Sequence, residues 1–437
     1  MNDATTPPPP TWEDIAADGG IDAWITARLK ERDLIDEVTE PSALSKAELQ
    51  RFKARREAER QARRELKRQA WVAYQSHHLV HLGSGVFYHD TVDFDRFDLQ
   101  DPETRQEHNA LPPLKSAQDL ARALGLSIPQ LRWLAFHREV DSHSHYHLWT
   151  VPKRDGSDRL ISAPKPRLKA AQRWILREIV EHLPVHDAVH GFVAGRSTLS
   201  NAATHAGRHL VVKRDIKDFY PSIHWRRVKG VFRKAGYGEQ VATVLALLCT
   251  EPPREILELE GRRYFVAHGP RALPQGAPTS PALSNALCLR LDCRLTGLAR
   301  HYRAVYTRYA DDLTFSLEAT AGAKLGGLLK AVAAVVKAEG FALHPAKDQI
   351  LRPGRRQTVT GLVVNQAPSD CPPVRIPRGF VRRLRAALHN RATGKGGVES
   401  LAQLRGWIAY LHMVDPERAA PYWTALKTLE EAAHDRS

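Results

Sequence analysis

Two adjacent carboxylates, Asp311 and Asp312, stand at a tight turn between Tyr302–Arg308 and Leu313–Leu317, both of which read as strands. Like charges this close repel and raise each other's pKa, so the arrangement persists most easily where a divalent cation binds it. Taken alone, the pair also fits an ordinary solvated turn, because Asp is a favoured turn residue. The remainder of the chain decides between the two.

A second acid ends another apolar run. The segment His209-Leu-Val-Val-Lys-Arg-Asp215-Ile216 reads as a buried strand, followed by Lys217-Asp218-Phe219-Tyr220-Pro221 and a helix capped by Ser222 and stopped by Gly236. An Asp in that place is either a turn residue or a metal ligand. If its strand neighbours the Asp-Asp hairpin, three carboxylates converge at one sheet edge, enough to hold two magnesium ions about 3.5–4 Å apart. Between the acid segments runs Leu273-Pro-Gln275-Gly276-Ala-Pro-Thr-Ser280-Pro281, a Gly/Pro-rich loop entering a helix with Ser280 as cap and Pro281 at its first position. Such a loop lets Gln275 and the backbone approach a flat ligand closely.

The charge balance says what kind of ligand. The formal net charge of the 437 residues is +15 and the pI about 9.7, which favours a polyanion, nucleic acid or an anionic membrane surface. No apolar run approaches the ~18–20 residues of a spanning helix, and the start lacks a signal-peptide pattern, so no membrane partner is expected. Cys249, Cys288, Cys293 and Cys371 form no CxxC pair, which fits a reducing cytoplasm without structural zinc. Basic residues gather in Lys46–Arg68, ten Lys/Arg against four Glu, on a helix opened by a Ser45/Glu48 capping box. That run suits a solvated face or nucleic-acid contact. Ser116–Leu134 has a helix-turn-helix pattern, either a packing corner or a duplex reader. Trp149–Pro166 is a basic hairpin around Gly156, a candidate phosphate clamp with Lys153 and Arg159. Arg378–Arg391 is a basic amphipathic helix with Phe380, Leu384 and Leu388 on one side.

The order acid strand, Gln-Gly loop, Asp-Asp hairpin resembles reverse transcriptases over roughly Leu114 to Pro416. Arg214–Ile223 looks like the first metal-binding palm motif, Leu273–Asn285 the template and nucleotide grip, and Tyr309–Asp312 the Tyr-x-Asp-Asp turn. Lys347 matches the lysine of the following motif. Asn201-Ala-Ala-Thr-His205 and Val359-Thr360-Gly361 match the NAxxH and VTG signatures of bacterial retron reverse transcriptases, and the long N-terminal extension is like the myxobacterial ones.

The resemblance implies an α+β right-hand polymerase: a partly disordered helical extension (1–112), fingers (113–200), a ferredoxin-like palm with an antiparallel sheet (201–371) and a helical thumb (372–437). Asp215, Asp311, Asp312 and the Ile216 carbonyl would hold two Mg2+ ions, for which Mn2+ can substitute, and Lys347 would give a proton to the leaving pyrophosphate. Tyr220 would be the gate against a 2′-hydroxyl. Asp218 and Phe219 amides, Lys153 and Arg159 would meet the dNTP triphosphate, and Gln275 the nucleotide and template. Asn201, His205, Val359, Thr360 and Gly361 are family signatures related to the RNA. The expected partners are a cognate structured non-coding RNA, its branched single-stranded DNA product and, in anti-phage defence, an effector protein. Two alternatives stand beside this: another bacterial reverse transcriptase, intron-encoded or diversity-generating, and a non-catalytic RNA-binding scaffold. A transcription factor built on Ser116–Leu134 is a third.

Overall fold

Thr11 and Ser45 open the first helices through reciprocal caps: each side chain accepts the N–H three residues on, and Asp14 or Glu48 takes the cap's own N–H. The computed structural model describes residues 8–35, 45–87, 101–152, 156, 158–319, 325–366, 373–395 and 398–434. In it α1 (Trp12–Ala17), α2 (Ile21–Glu31) and α3 (Lys46–His77) pack around a core of their own, Ile15, Trp24, Ile25, Leu29, Leu66, Ala70 and Ala73. The last two explain why α3 outruns the charged stretch and ends at His77. They continue the apolar stripe beyond Arg68.

After α4 (Pro102–His108) come α5 (Ala117–Ala123) and α6 (Ile128–Ala135), each with a capping box. Leu120, Ala121, Leu131 and Leu134 of this two-helix corner are buried in the main core, so the corner is a packing element. The chain then forms β1 (Val140–Asp141), the hairpin β2 (Tyr146–Pro152) and β3 (Asp158–Pro164), α7 (Pro166–Glu178) and α8 (Thr198–Ala203). Next are β4 (Leu210–Asp215), α9 (Trp225–Lys234), α10 (Glu239–Cys249), and β5 (Arg254–Leu259) with β6 (Arg262–Ala267). They are followed by α11 (Ser280–Leu287), α12 (Leu289–His301), β7 (Ala304–Tyr309), β8 (Asp312–Leu317), α13 (Leu325–Ala338) and β9 (Gln349–Leu351). The short hairpin β10 (Thr358–Val359) and β11 (Leu362–Val363) leads to α14 (Arg378–Ala392), α15 (Leu401–Val414) and α16 (Pro416–His434).

β7, β8, β4 and β9 make an antiparallel sheet in that order. Successive side chains of a strand point to opposite faces, and β4 uses both. Leu210 and Val212 enter the main core with Phe315, Leu295, Val332 and Val336. Val211 enters a second core with Val359, Leu362, Leu384, Ile408 and Leu426. One strand therefore joins the sheet's helical backing to the C-terminal helices.

Two local expectations change. Ser222 caps no helix: its hydroxyl donates to the Phe219 carbonyl, and α9 starts at Trp225. Ser280 is the first residue of α11, and its hydroxyl closes the preceding loop onto the Pro274 carbonyl. The last helix begins at Pro416, where the Asp415 side chain accepts the Arg418 N–H, and Pro421 lies inside it. No described helix is long and apolar enough to cross a membrane.

Candidate active site

The register of β4 against β8 decides where the acids meet. Asp215 is paired with Asp312, and Tyr309 with Asp312 across the hairpin, leaving Ala310 and Asp311 as a two-residue turn. The turn is fastened to β4, because the Ile216 N–H donates to the Asp311 carbonyl at 3.0 Å. On the other side His344 N–H donates to the Asp215 carbonyl at 2.8 Å, bringing in the turn Pro345–Lys347. Lys347 Nζ then reaches both carboxylate oxygens of Asp215, at 2.9 and 3.0 Å.

Electrostatics follow from this crowding. Burial, then Asp312 and Asp215, push the Asp311 carboxyl up to about 6. Asp312 is also raised, first by burial and then by Asp215, with Lys213 working the other way. Burial opposes the Lys347 charge, but its hydrogen bonds to Asp215 and the nearby acids hold its pKa above the ordinary value. It is therefore charged at neutral pH, with a proton to give.

These groups line a cavity of about 710 Å³ together with Arg159, Phe219, Tyr220, Gln275, Gly276 and His344. Asp218 takes a φ of 46°, and the amides of Asp218, Phe219 and Tyr220 have no hydrogen-bond acceptor among the described residues. Consecutive free N–H groups around a left-handed residue make a concavity for an anion. Burial, then Asp311, push the Tyr220 hydroxyl up to about 12, so it stays neutral at the cavity wall. Gly276 lets the β2–β3 hairpin sit on the Gln275 loop: its φ is 116°, a Cβ there would meet the Ser162 carbonyl oxygen at 3.0 Å, and Ser162 N–H donates to the Gln275 carbonyl at 2.7 Å. Arg159 is exposed at the cavity mouth, whereas Lys153 lies outside the described residues.

The sequence reading missed what holds the turn. Ala310 has a φ of 54°, an unfavourable value for a residue with a Cβ. Arg308 Nη1 donates to its carbonyl at 3.1 Å and to Asn285 Oδ1 at 3.0 Å. The rest of the guanidinium is clamped by Asp292, at 2.9 and 2.7 Å, and Tyr306 donates to the same carboxylate. Arg308 and Asp292 are fully buried. Burial opposes the arginine's charge, and Asp292 overrides that to hold its pKa above the ordinary value. An Arg in an alternating strand gives no sign in the sequence that it points inward. Phe192 was also missed; it has a φ of 59° and sits 6.0 Å from the Tyr309 ring at the cavity.

The two signatures turn out to be neighbours. Asn201 and His205 are buried, with the His205 ring nitrogens 2.7 Å from Ser316 Oγ and from Thr307 Oγ1, so His205 bridges β7 and β8 from behind. Val359 is buried too, while Thr360 (φ 46°) and Gly361 (φ 85°) form the tight turn between β10 and β11. Thr360 Oγ1 donates to the Thr198 carbonyl on α8. His205 thus links two strands of the sheet, and Val359 packs in the C-terminal core.

The donor set, three carboxylates and the Ile216 carbonyl with neither thiolate nor imidazole, fits a hard divalent cation. Among the described residues no group of three or more His, Cys, Asp or Glu side chains is drawn together tightly enough to hold a metal ion, and the Lys347 ammonium sits on both oxygens of Asp215.

The family profile for reverse transcriptase (RNA-dependent DNA polymerase) matches residues 151–369. The retron Mx162 reverse transcriptase of Myxococcus xanthus is 52% identical over 425 residues, 95% of this chain and 88% of that protein. The retron Mx65 enzyme of the same organism is 46% identical over 74% of each chain. The retron Ec86 reverse transcriptase of Escherichia coli is 31% identical over 75% of this chain and 93% of its own length. With the polymerase motifs gathered on one cavity and this identity over nearly the whole length, the chain belongs to the retron reverse transcriptases and is an RNA-directed DNA polymerase.

Proposed function

We propose that the enzyme copies part of a structured RNA encoded beside it into branched multicopy single-stranded DNA, starting from the 2′-hydroxyl of an internal guanosine of that RNA. The resulting complex serves in defence against phage together with an effector protein. The observation that carries the catalytic part of this reading is the pairing of Asp215 with Asp312, which brings three acids to one cavity wall. The 52% identity to the Mx162 retron enzyme supports the branched product.

In this reading Asp215, Asp311, Asp312 and the Ile216 carbonyl hold two magnesium ions, or manganese in their place. The chemistry such ions would supply there is a lowered pKa for the attacking hydroxyl and neutralisation of the triphosphate charge. The amides of Asp218 and Phe219, with Arg159 and Lys153, bind the triphosphate. Gln275 positions the nucleotide against the template base, and the Tyr220 ring excludes a 2′-hydroxyl. Lys347, charged and at the cavity, passes its proton to the departing pyrophosphate.

The test is to purify the enzyme from cells carrying its native locus and sequence the nucleic acid that accompanies it. DNA joined to RNA through a bond that a 2′-5′ debranching enzyme cleaves is expected; DNA with a free 5′ end would remove the branching step. Asp215→Asn and Asp311→Asn should each lower primer extension by at least ~10³-fold, since several kcal/mol of charge stabilisation goes with a lost ion. Asp312→Asn should lower it less. Wild-type extension by the first two variants would refute the assignment.

A further inference from the structure

α3 carries a charged face that nothing in the molecule neutralises. Arg56, Arg60 and Arg63 have glutamate partners on the same helix. Arg64, Lys67 and Arg68 are exposed and have no ion-pair partner among the described residues. At 3.6 residues per turn, positions 64, 67, 68 and 71 share one face. It lies opposite Leu66, Ala70 and Ala73, which are committed to the small N-terminal core. With Ile21 these four side chains line a cleft of about 360 Å³.

Trp71 closes the cleft and is 49% exposed. Its ring is stacked on Tyr74 (centroids 5.5 Å apart, planes 10° apart), and Tyr74 is stacked on His78 at 4.1 Å. Trp12 packs edge-on against both Tyr74 and His78, at 5.1 and 4.7 Å. The indole is thus backed on one side by a braced aromatic column, and the half that remains exposed faces solvent.

We propose that this face of α3 is a second RNA-binding surface, separate from the polymerase cavity. Arg64, Lys67 and Arg68 take phosphates of a stem, and Trp71 stacks an unpaired base beside it. Three unpaired cations within two helical turns call for closely spaced anions, and a braced, half-open indole calls for a flat ring. A hairpin RNA with unpaired bases supplies both. An anionic membrane would satisfy the cations, but an interfacial helix needs a broad free apolar face, and that of α3 is spent on α1 and α2. The proposal rests on RNA being the partner and not on the branched product.

The test uses the full chain with its polymerase cleft filled by saturating unlabelled primer–template. Binding of a labelled synthetic RNA hairpin with an unpaired loop is followed by fluorescence anisotropy over a KCl series, beside the same stem as a blunt duplex. The triple variant Arg64→Gln, Lys67→Gln, Arg68→Gln should weaken hairpin binding by at least ~10-fold and lower the salt slope by roughly 2–3. Trp71→Ala should weaken the hairpin about tenfold and leave the blunt duplex unchanged, while Trp71→Phe keeps most of the binding. Extension of an annealed DNA primer should be unchanged in all of them. Wild-type hairpin affinity and salt slope in the triple variant would overturn the proposal. So would flotation of the protein with phosphatidylserine vesicles that the hairpin fails to compete. A wild-type chain that extends no primer would sink the polymerase reading instead, and the binding comparison would still stand.

Discussion

Asp311 sits where its charge is least welcome. Its carboxyl is pushed up to about 6 by burial, Asp312 and Asp215, against an ordinary value of 3.8. Folding therefore takes up a proton between those two values, and the metal-free enzyme loses stability as pH rises through that window. On the proposed two-metal reading, a cation at Asp311 would take the proton's place. Magnesium should raise the Tm clearly at about pH 7.5 and much less at about pH 5, measured by calorimetry with and without the ion. An equal increment at both would mean that the ion binds elsewhere. His205 has the opposite sign. Burial, then His190 and Arg208, hold its ring down to about 3, so it is neutral in the fold and charges in the unfolded chain at its ordinary 6.5. Its contribution is present above 6.5 and lost as pH falls toward 3. His205→Gln should cost roughly 1–3 kcal/mol at neutral pH through lost buried hydrogen bonds. It should also flatten the decline of urea-melt stability below 6.5, and an unchanged slope would refute the neutral-histidine account.

At the scale of elements, the Asp-Asp hairpin is held from beneath by the Arg308–Asp292 pair on β7 and α12. Removing one partner of a fully buried pair leaves an uncompensated charge, so Asp292→Asn or Arg308→Met should each destabilise by about 3–5 kcal/mol. The double variant Arg308→Met with Asp292→Leu should regain much of that stability, because well-packed apolar groups replace a buried pair at little cost. Primer extension should stay low in it, since the Ala310 carbonyl has lost its donor and the strained turn its brace. Urea melts beside extension rates check this. Recovery of both together would make the pair merely structural. The same scale explains the signatures: the α8 helix and the β10–β11 turn are far apart in the chain, yet Thr360 bonds to Thr198, and both pack where the sheet meets the C-terminal helices.

For the whole molecule, a net charge of +15 should dominate RNA affinity. Exposed Arg382, Arg383 and Arg385 on α14, the α3 face and the cavity mouth together offer enough cations for about 6–10 phosphates. Affinity for RNA should then fall by at least ~10³-fold between about 50 and 200 mM salt. A shallow salt dependence would show that few of these cations meet phosphate. The acid strand, the Gln-Gly loop, the Asp-Asp hairpin and the Ser45/Glu48 capping box were legible from residues alone, because each is a local pattern: an alternation, a turn composition, or a spacing of three. Register, inward-pointing charge and left-handed backbone were not. Asp215 opposite Asp312, Phe192 beside Tyr309 and His205 between two strands depend on partners about 100 residues away, and Arg308 is turned under Ala310 by Asp292, 16 residues before it. Local patterns thus determined which residues are candidates for the chemistry of this retron enzyme. Only the packed sheet, with its two buried faces, decided which of them touch.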